Sequence, residues 1–241
     1  MILPTMNDEE KTHEAFRATE WLCECFERCK SEIIDKFKRG TKFPYTQRIQ
    51  CTDDKGNVWW FTCIMPSKDY RKRARFLTFC YTLYDIPPKR SENLTNAGKG
   101  ALVFDPLSMK RYLTTKVHEP GSIITDITPH AVNRYTDRYL KPLGKTLEPE
   151  RKIESILSRW MHFDICADLA GDENAAKHKD DGICPIDIIM RGGGMFRGTV
   201  INNLLMRLTT YVSTDIMFEN QKERQQEMVS EYYNWKRKKI I

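Results

Sequence analysis

The sequence predicts an α+β protein in which helices are combined with antiparallel strands. Apolar residues recur every three or four positions in some segments and alternate with polar residues in others. The first half is expected to hold one long helix and an antiparallel meander. The second half is expected to hold two helices, a three-stranded antiparallel sheet and a closing helix. We therefore expect two regions, residues 1–120 and 121–241.

The amino-terminal region opens with an amphipathic pattern over residues 7–39, which Gly40 ends. From residue 45 the period shortens towards two, as in half-buried strands. A turn-forming segment at 53–57 separates the first two strands. The expected strands cover residues 45–51, 58–64 and 75–86, followed by a short pair at 101–104 and 111–116.

The carboxy-terminal region opens with a helix expected over residues 127–140. Thr128 can cap this helix, and Pro129 suits its first turn. A second helix is expected from about residue 148 to 162, and a polar loop follows it. Three strands are then expected at 183–191, 195–202 and 204–213, with a closing helix from about residue 213.

The composition is typical of a globular chain with a mild positive charge. With 241 residues, 40% of them hydrophobic, the chain can bury one sizeable core or two small ones. The net charge of +6 permits a polyanionic partner without requiring one. No stretch approaches the roughly 18 consecutive apolar residues of a membrane span. We therefore expect a cytoplasmic protein with no membrane contact. Separately, no cofactor is expected.

The eight cysteines lie in apolar surroundings, which predicts reduced and mostly buried thiols. On a helix, Cys23 and Cys25 would point about 200° apart, so they cannot converge on one metal ion. No metal site is therefore predicted. One alternative stays open, a closed zinc site that would use His162, Cys166, His178 and Cys184.

The most informative segment is the helix expected after Pro129. His130, Arg134 and Arg138 fall within an arc of about 80° on it, beside an apolar face. Its positive amino-terminal end and the two arginines favour a neutral imidazole. A neutral histidine beside fixed cations suits phosphodiester chemistry, because the imidazole can move a proton while the arginines hold phosphate. The alternative is a structural network in which the arginines pair with Asp137, Glu150 or Glu154.

The order of elements over about residues 127–213 resembles the RelE/ParE-like toxin superfamily, in particular its BrnT-type branch. In that branch a His-Ala-x-x-Arg-x-x-x-Arg helix precedes the sheet, and residues 130–138 match this motif. The resemblance implies a RelE/BrnT-like α+β region and metal-independent cleavage of RNA. It also implies basic or aromatic residues on the last strand, where Arg207 and Tyr211 stand. For Tyr211, packing in a half-buried strand is the alternative.

A second basic segment precedes the third expected strand. Its five cations stand beside aromatic residues and can follow a phosphate backbone. A solvated turn is the equally weighted alternative. The candidate nucleic-acid-binding residues of this segment are Lys68, Arg71, Lys72, Arg73 and Arg75.

Two functions of different classes therefore compete. The first is a metal-independent endoribonuclease with His130 as acid and base, Arg134 and Arg138 as phosphate ligands, and Arg207 and Tyr211 as helpers. The second is a non-catalytic module of phage or bacterial origin that binds nucleic acid or another protein. The first function requires His130 and both arginines on one open surface together with Arg207 or Tyr211. The oligomeric state stays open.

Overall fold

The computed structural model describes residues 5–39, 42–43, 45–65, 77–85, 98–104, 124–159, 183–190, 193–201 and 205–238. Its helices are α1 (Asp8–Arg39), α2 (Pro129–Tyr135), α3 (Pro149–Arg159) and α4 (Glu219–Lys238). Its strands are β1 (Tyr45–Thr52), β2 (Val58–Met65), β3 (Leu77–Asp85), β4 (Lys99–Phe104), β5 (Ile124–Ile127), β6 (Ile183–Ile189), β7 (Met195–Ile201) and β8 (Leu205–Val212).

The eight described strands belong to one sheet with the order β1-β2-β3-β4-β5-β8-β7-β6. The predicted fold class, with a meander and a separate three-stranded sheet, is therefore wrong. The reason is β5, which the sequence analysis assigned in part to a helix start. This strand pairs antiparallel with β4, with Ile127 opposite Ala101, and stands beside β8 in the sheet order. Through it the two expected groups of strands become one sheet.

Strand β5 is short and entirely buried, so it lacks the alternation that marks a half-buried strand. Its Asp126 is fully buried and accepts a hydrogen bond of 2.5 Å from the Tyr84 hydroxyl. Gly100 makes room for this tyrosine, because a Cβ there would overlap the ring. The hydrogen-bond partner of Asp126 is 42 positions away in the sequence. The residues around Asp126 therefore do not indicate that it belongs to a buried strand.

The other described elements follow the predicted pattern. The strands expected at 45–51, 58–64, 75–86, 183–191, 195–202 and 204–213 are confirmed with shifted ends, as are the amino-terminal and closing helices. The strand expected at 111–116 lies outside the described residues. Of the helix expected over 127–140, only α2 is α-helical; a π-helix (Thr136–Leu140) and a 3-10 turn (Lys141–Leu143) follow it. In the described part of the chain, no helix is long and apolar enough to cross a membrane.

The chain divides into two compact units, residues 1–129 with 203–206, and residues 130–202 with 207–241. In the first unit, α1 buries Leu22 and Phe26, and the ring of Phe26 stacks on Phe61 of β2 with centroids 6.4 Å apart. The turn between β1 and β2 is fixed by Asp53, which accepts a hydrogen bond of 3.1 Å from the buried Trp59 indole. Helix α1 thus packs on the β1–β2 hairpin through a narrow apolar stripe.

Charged groups reinforce this packing at the amino-terminal half of α1. Glu14 accepts hydrogen bonds of 2.6 Å from Lys55 and 2.8 Å from Arg17. Burial alone would raise the pKa of Glu14, but these two cationic donors outweigh it and lower the pKa to about 2. The carboxylate therefore ties the helix to the hairpin turn.

The second unit has an aromatic core. The Tyr135 ring packs against Phe196 of β7 and Tyr211 of β8, with centroids 5.8 and 5.2 Å away. All three side chains are at most 1% exposed. The β6–β7 connection passes through Gly194 at a φ of +77°, and a Cβ there would overlap the Tyr211 hydroxyl. Glycine is required at this position because it tolerates that φ and the close approach of the ring.

Candidate functional site

Helix α2 separates an apolar face from an exposed cationic one. Ala131, Val132 and Tyr135 are at most 2% exposed and hold the helix on the core. His130 and Arg134, one turn apart, point to solvent instead. The spacing of the apolar residues therefore determines which face of α2 is buried. Because that face packs on the core, the two basic side chains are exposed to solvent.

These two exposed side chains contact each other. The Arg134 Nε–H group donates to His130 Nε2 at 3.3 Å. The bond requires an unprotonated Nε2 and uses one of the five N–H donors that a guanidinium carries. We refer to His130 and Arg134 as the α2 pair.

No carboxylate neutralises the α2 pair among the described residues. The nearest acidic residue in the sequence is Asp137, which binds Lys141 at 2.7 Å. Glu154 binds Arg151, also at 2.7 Å. The predicted alternative, an ion pair from Arg134 or Arg138 to Asp137, Glu150 or Glu154, is not formed among the described residues.

Arg138 is turned away from the pair towards strand β8. One of its terminal N–H groups donates to the backbone carbonyl of Tyr211 at 2.7 Å. Asp215 is close enough for Arg138 to help lower its pKa, although a hydrogen bond from Ser213 is the larger cause. The predicted arc assumed 100° per residue, but Arg138 lies in the π-helix, whose wider turns shift the side chain.

The two predicted helpers on β8 differ in exposure. Tyr211 is 1% exposed, and its hydroxyl donates to the Gly193 carbonyl at 3.3 Å. Arg207 is half-buried, and its backbone carbonyl packs against Gly198 so closely that a Cβ would overlap it. In the structure, Arg134 thus hydrogen-bonds to His130, and Arg138 hydrogen-bonds to the backbone of Tyr211. No hydrogen bond or ion pair links these two groups within the described residues.

A buried arginine that the sequence analysis missed organises the same unit. Arg159 donates to the Gly193 carbonyl at 2.8 Å, and its guanidinium carbon lies 3.4 Å from the centroid of the Tyr139 ring. Burial raises the pKa values of Tyr135 and Tyr211, and the positive charge of the nearby Arg159 offsets part of this increase. At the end of an amphipathic helix this residue resembles an ordinary surface cation, so no sequence signal distinguishes it.

The second unit also contains a groove of about 220 Å³ between β6, β7 and α4. Its walls include the ion pair between Asp187 and Arg197, whose closest atoms are 2.9 Å apart. Gln225 on α4 donates to the Gly194 carbonyl at 3.2 Å and closes one side. His130, Arg134, Arg138, Arg207 and Tyr211 do not line this groove.

The remaining predicted residues lie mostly outside the described part of the chain. These are Lys68, Arg71, Lys72, Arg73 and Arg75 of the basic segment, and His162, Cys166 and His178 of the zinc alternative. Cys184 is described and is half-buried on β6. The residues with described positions include no group of three His, Cys, Asp or Glu side chains that could hold a metal ion.

Comparisons with known proteins return no relative. No protein-family model matches the chain, and no match is found among curated proteins or among solved structures. The geometry of the described residues is therefore the basis for a functional assignment.

Proposed function

We propose that this protein binds nucleic acid, with single-stranded RNA as the first substrate to test, through the α2 pair. The observation that carries the proposal is the contact of 3.3 Å between two exposed basic side chains, His130 and Arg134. Arg134 offers the two terminal nitrogens of its guanidinium, whose fork geometry matches the oxygens of a phosphate. The imidazole adds a ring that can stack on an unpaired base or donate to a second oxygen.

Two electrostatic features support an anionic partner. The α2 pair has no carboxylate partner among the described residues, and Asp137 is already bound to Lys141. The chain as a whole carries a net charge of +6, which favours association with a polyanion at low salt.

The binding test compares four proteins by fluorescence anisotropy with a labelled single-stranded RNA. These are the wild type, His130→Ala, Arg134→Ala and Lys99→Ala. Lys99 is 46% exposed and pairs with Asp85 in the first unit, so its substitution removes an equal charge elsewhere. We expect a 5- to 10-fold loss of affinity for Arg134→Ala, as about 1 kcal/mol for one phosphate contact implies. His130→Ala should lose less and Lys99→Ala almost nothing. Equal losses for Arg134→Ala and Lys99→Ala would contradict the proposal.

A second candidate function, metal-independent cleavage of RNA, is favoured by one specific observation. His130 Nε2 lies 3.3 Å from the Arg134 Nε atom. In such a pairing a neutral imidazole can accept the proton of a ribose 2′-hydroxyl while the guanidinium stabilises charge on the phosphate. Arg138 and Tyr211 would contribute by positioning, since each donates a hydrogen bond to a backbone carbonyl.

The cleavage test uses the same proteins with labelled RNA in excess chelator, resolved on a denaturing gel. Chelator-resistant products that disappear in His130→Ala but persist in Lys99→Ala would support this second function. Binding without cleavage by the wild type would exclude cleavage of that RNA and leave the binding proposal intact.

A further inference from the structure

Two cysteines of the first unit face each other across the contact between α1 and β1. The Sγ atoms of Cys25 and Cys51 are 3.0 Å apart. A disulfide needs about 2.05 Å between its sulfur atoms, so a shift of about 1 Å would allow the bond. The side chains of six cysteines are described, and all six are thiols.

The packing of α1 holds the two sulfur atoms in this position. Cys25 is 4% exposed and belongs to the apolar stripe that contains Leu22 and Phe26. The stack of Phe26 on Phe61 and the ion pair of Glu14 with Lys55 hold the helix on the β1–β2 hairpin. The two thiols are therefore already close together in the folded protein.

The two thiols differ in accessibility, which sets an order of reaction. Cys51 is half-buried, so a small oxidant can reach it, whereas Cys25 is buried on the face of α1 that packs on the hairpin. The neighbouring Cys80 is fully buried, and burial raises the pKa of its thiol well above the ordinary value. A thiol that is completely shielded and rarely ionised reacts slowly with an external oxidant, so Cys80 does not compete with Cys51 for peroxide.

We propose that Cys25 and Cys51 form a redox-sensitive pair that hydrogen peroxide converts to a disulfide, fastening α1 to β1. The Cys51 sulfur attacks one peroxide oxygen and the O–O bond breaks, which yields a sulfenic acid and one water. The Cys25 sulfur then attacks the Cys51 sulfur, and the S–O bond breaks as the S–S bond forms. The sulfenic oxygen leaves as a second water with the Cys25 proton. Two thiols and one peroxide thus give one disulfide and two waters.

The bridge would stabilise the first unit, because it joins positions 26 residues apart and restricts the unfolded chain. This inference is independent of nucleic-acid binding. It concerns residues of the first unit, whereas the α2 pair belongs to the second.

The test maps the bridge directly in the wild-type protein. The folded protein is treated with hydrogen peroxide, remaining thiols are alkylated, and tryptic peptides are analysed by mass spectrometry without reductant. We expect a joined species of residues 18–28 and 49–55 that carries one alkyl group on Cys23. Its mass should be about 2 Da below the sum of peptide 18–28 alkylated only at Cys23 and peptide 49–55 with a free thiol. The urea midpoint of the oxidised protein should rise and return after reduction.

Matched variants assign the bridge to its two sulfurs. Cys23→Ser should keep the joined species, since Cys23 shares a tryptic peptide with Cys25 but stands on another face of α1. Cys51→Ser should lose both the joined species and the midpoint shift. Full alkylation of Cys25 and Cys51 in the peroxide-treated wild type would overturn the proposal, as would a bridge that uses Cys23.

Discussion

The two compact units use their charged side chains in different ways. In the first unit, Glu14 is bound by Lys55 and Arg17, and this network fixes α1 on a hairpin. In the second unit, Arg138 and Arg159 donate to backbone carbonyls, while Arg134 stays exposed with His130 as its partner. The function of an arginine therefore depends on what its guanidinium contacts, because Arg134 and Arg138 belong to one motif and have different partners.

The largest effect is expected from a substitution that breaks the core of the second unit. Gly194→Ala should lower the free energy of unfolding by about 3 kcal/mol, since the left-handed φ costs about 1 kcal/mol and overlap with Tyr211 adds a similar or larger amount. Gly144→Ala is the matched control, because its φ is also positive and a Cβ there meets nothing within 4 Å. It should lose only about 1 kcal/mol. Equal losses in urea unfolding would contradict the assigned packing of Tyr211.

A smaller effect separates the two arginines of the motif. Arg138→Ala should cost about 1.5 kcal/mol of stability, because it removes a charged donor from the Tyr211 carbonyl. Arg134→Ala should cost less than about 0.5 kcal/mol, as is usual for exposed side chains. Affinity for RNA should show the opposite order. If both substitutions destabilised the protein equally in urea unfolding, the distinction between a structural arginine and a binding arginine would fail.

A loss of stability smaller than those of Gly194→Ala and Arg138→Ala is expected in the first unit. Glu14→Gln should cost about 1 kcal/mol at pH 7, since the cationic donors lose their carboxylate. The folded pKa is lowered from 4.5 to about 2. The carboxylate's contribution is therefore fully present above about pH 4.5 and is lost as the pH falls towards 2. In an acid titration followed by circular dichroism, the wild type should lose its advantage over Glu14→Gln across this range. A constant difference down to pH 2 would contradict the ion-pair network.

Much of the fold can be predicted from local patterns. The helices and most strands follow from apolar periodicity and turn residues. The single sheet could not be predicted, because it depends on a buried four-residue strand whose Asp126 is satisfied by Tyr84 from another strand. This hydrogen bond between two strands cannot be predicted from the local sequence pattern.

The contacts of the candidate site also fall into a group that can be predicted from the sequence and a group that cannot. The contact between His130 and Arg134 follows from their i, i+4 spacing on one helix. The partner of Arg138 lies 73 positions further along the chain, and a π-helical turn changes the direction of the side chain. Arg159 is recognisable as a core residue only once Gly193 and Tyr139 surround it. Spacing predicts contacts within one helix, whereas contacts between elements require the fold.

The central claim is that Arg134 of the α2 pair makes a phosphate contact. The most direct measurement is the salt dependence of the affinity for single-stranded RNA, for the wild type, Arg134→Ala and Lys99→Ala. Each phosphate contact contributes about 0.7 to the slope of log K against log salt concentration for a single strand. We predict that Arg134→Ala reduces the slope by about this amount and that Lys99→Ala does not. Identical slopes for the wild type and Arg134→Ala would contradict the account.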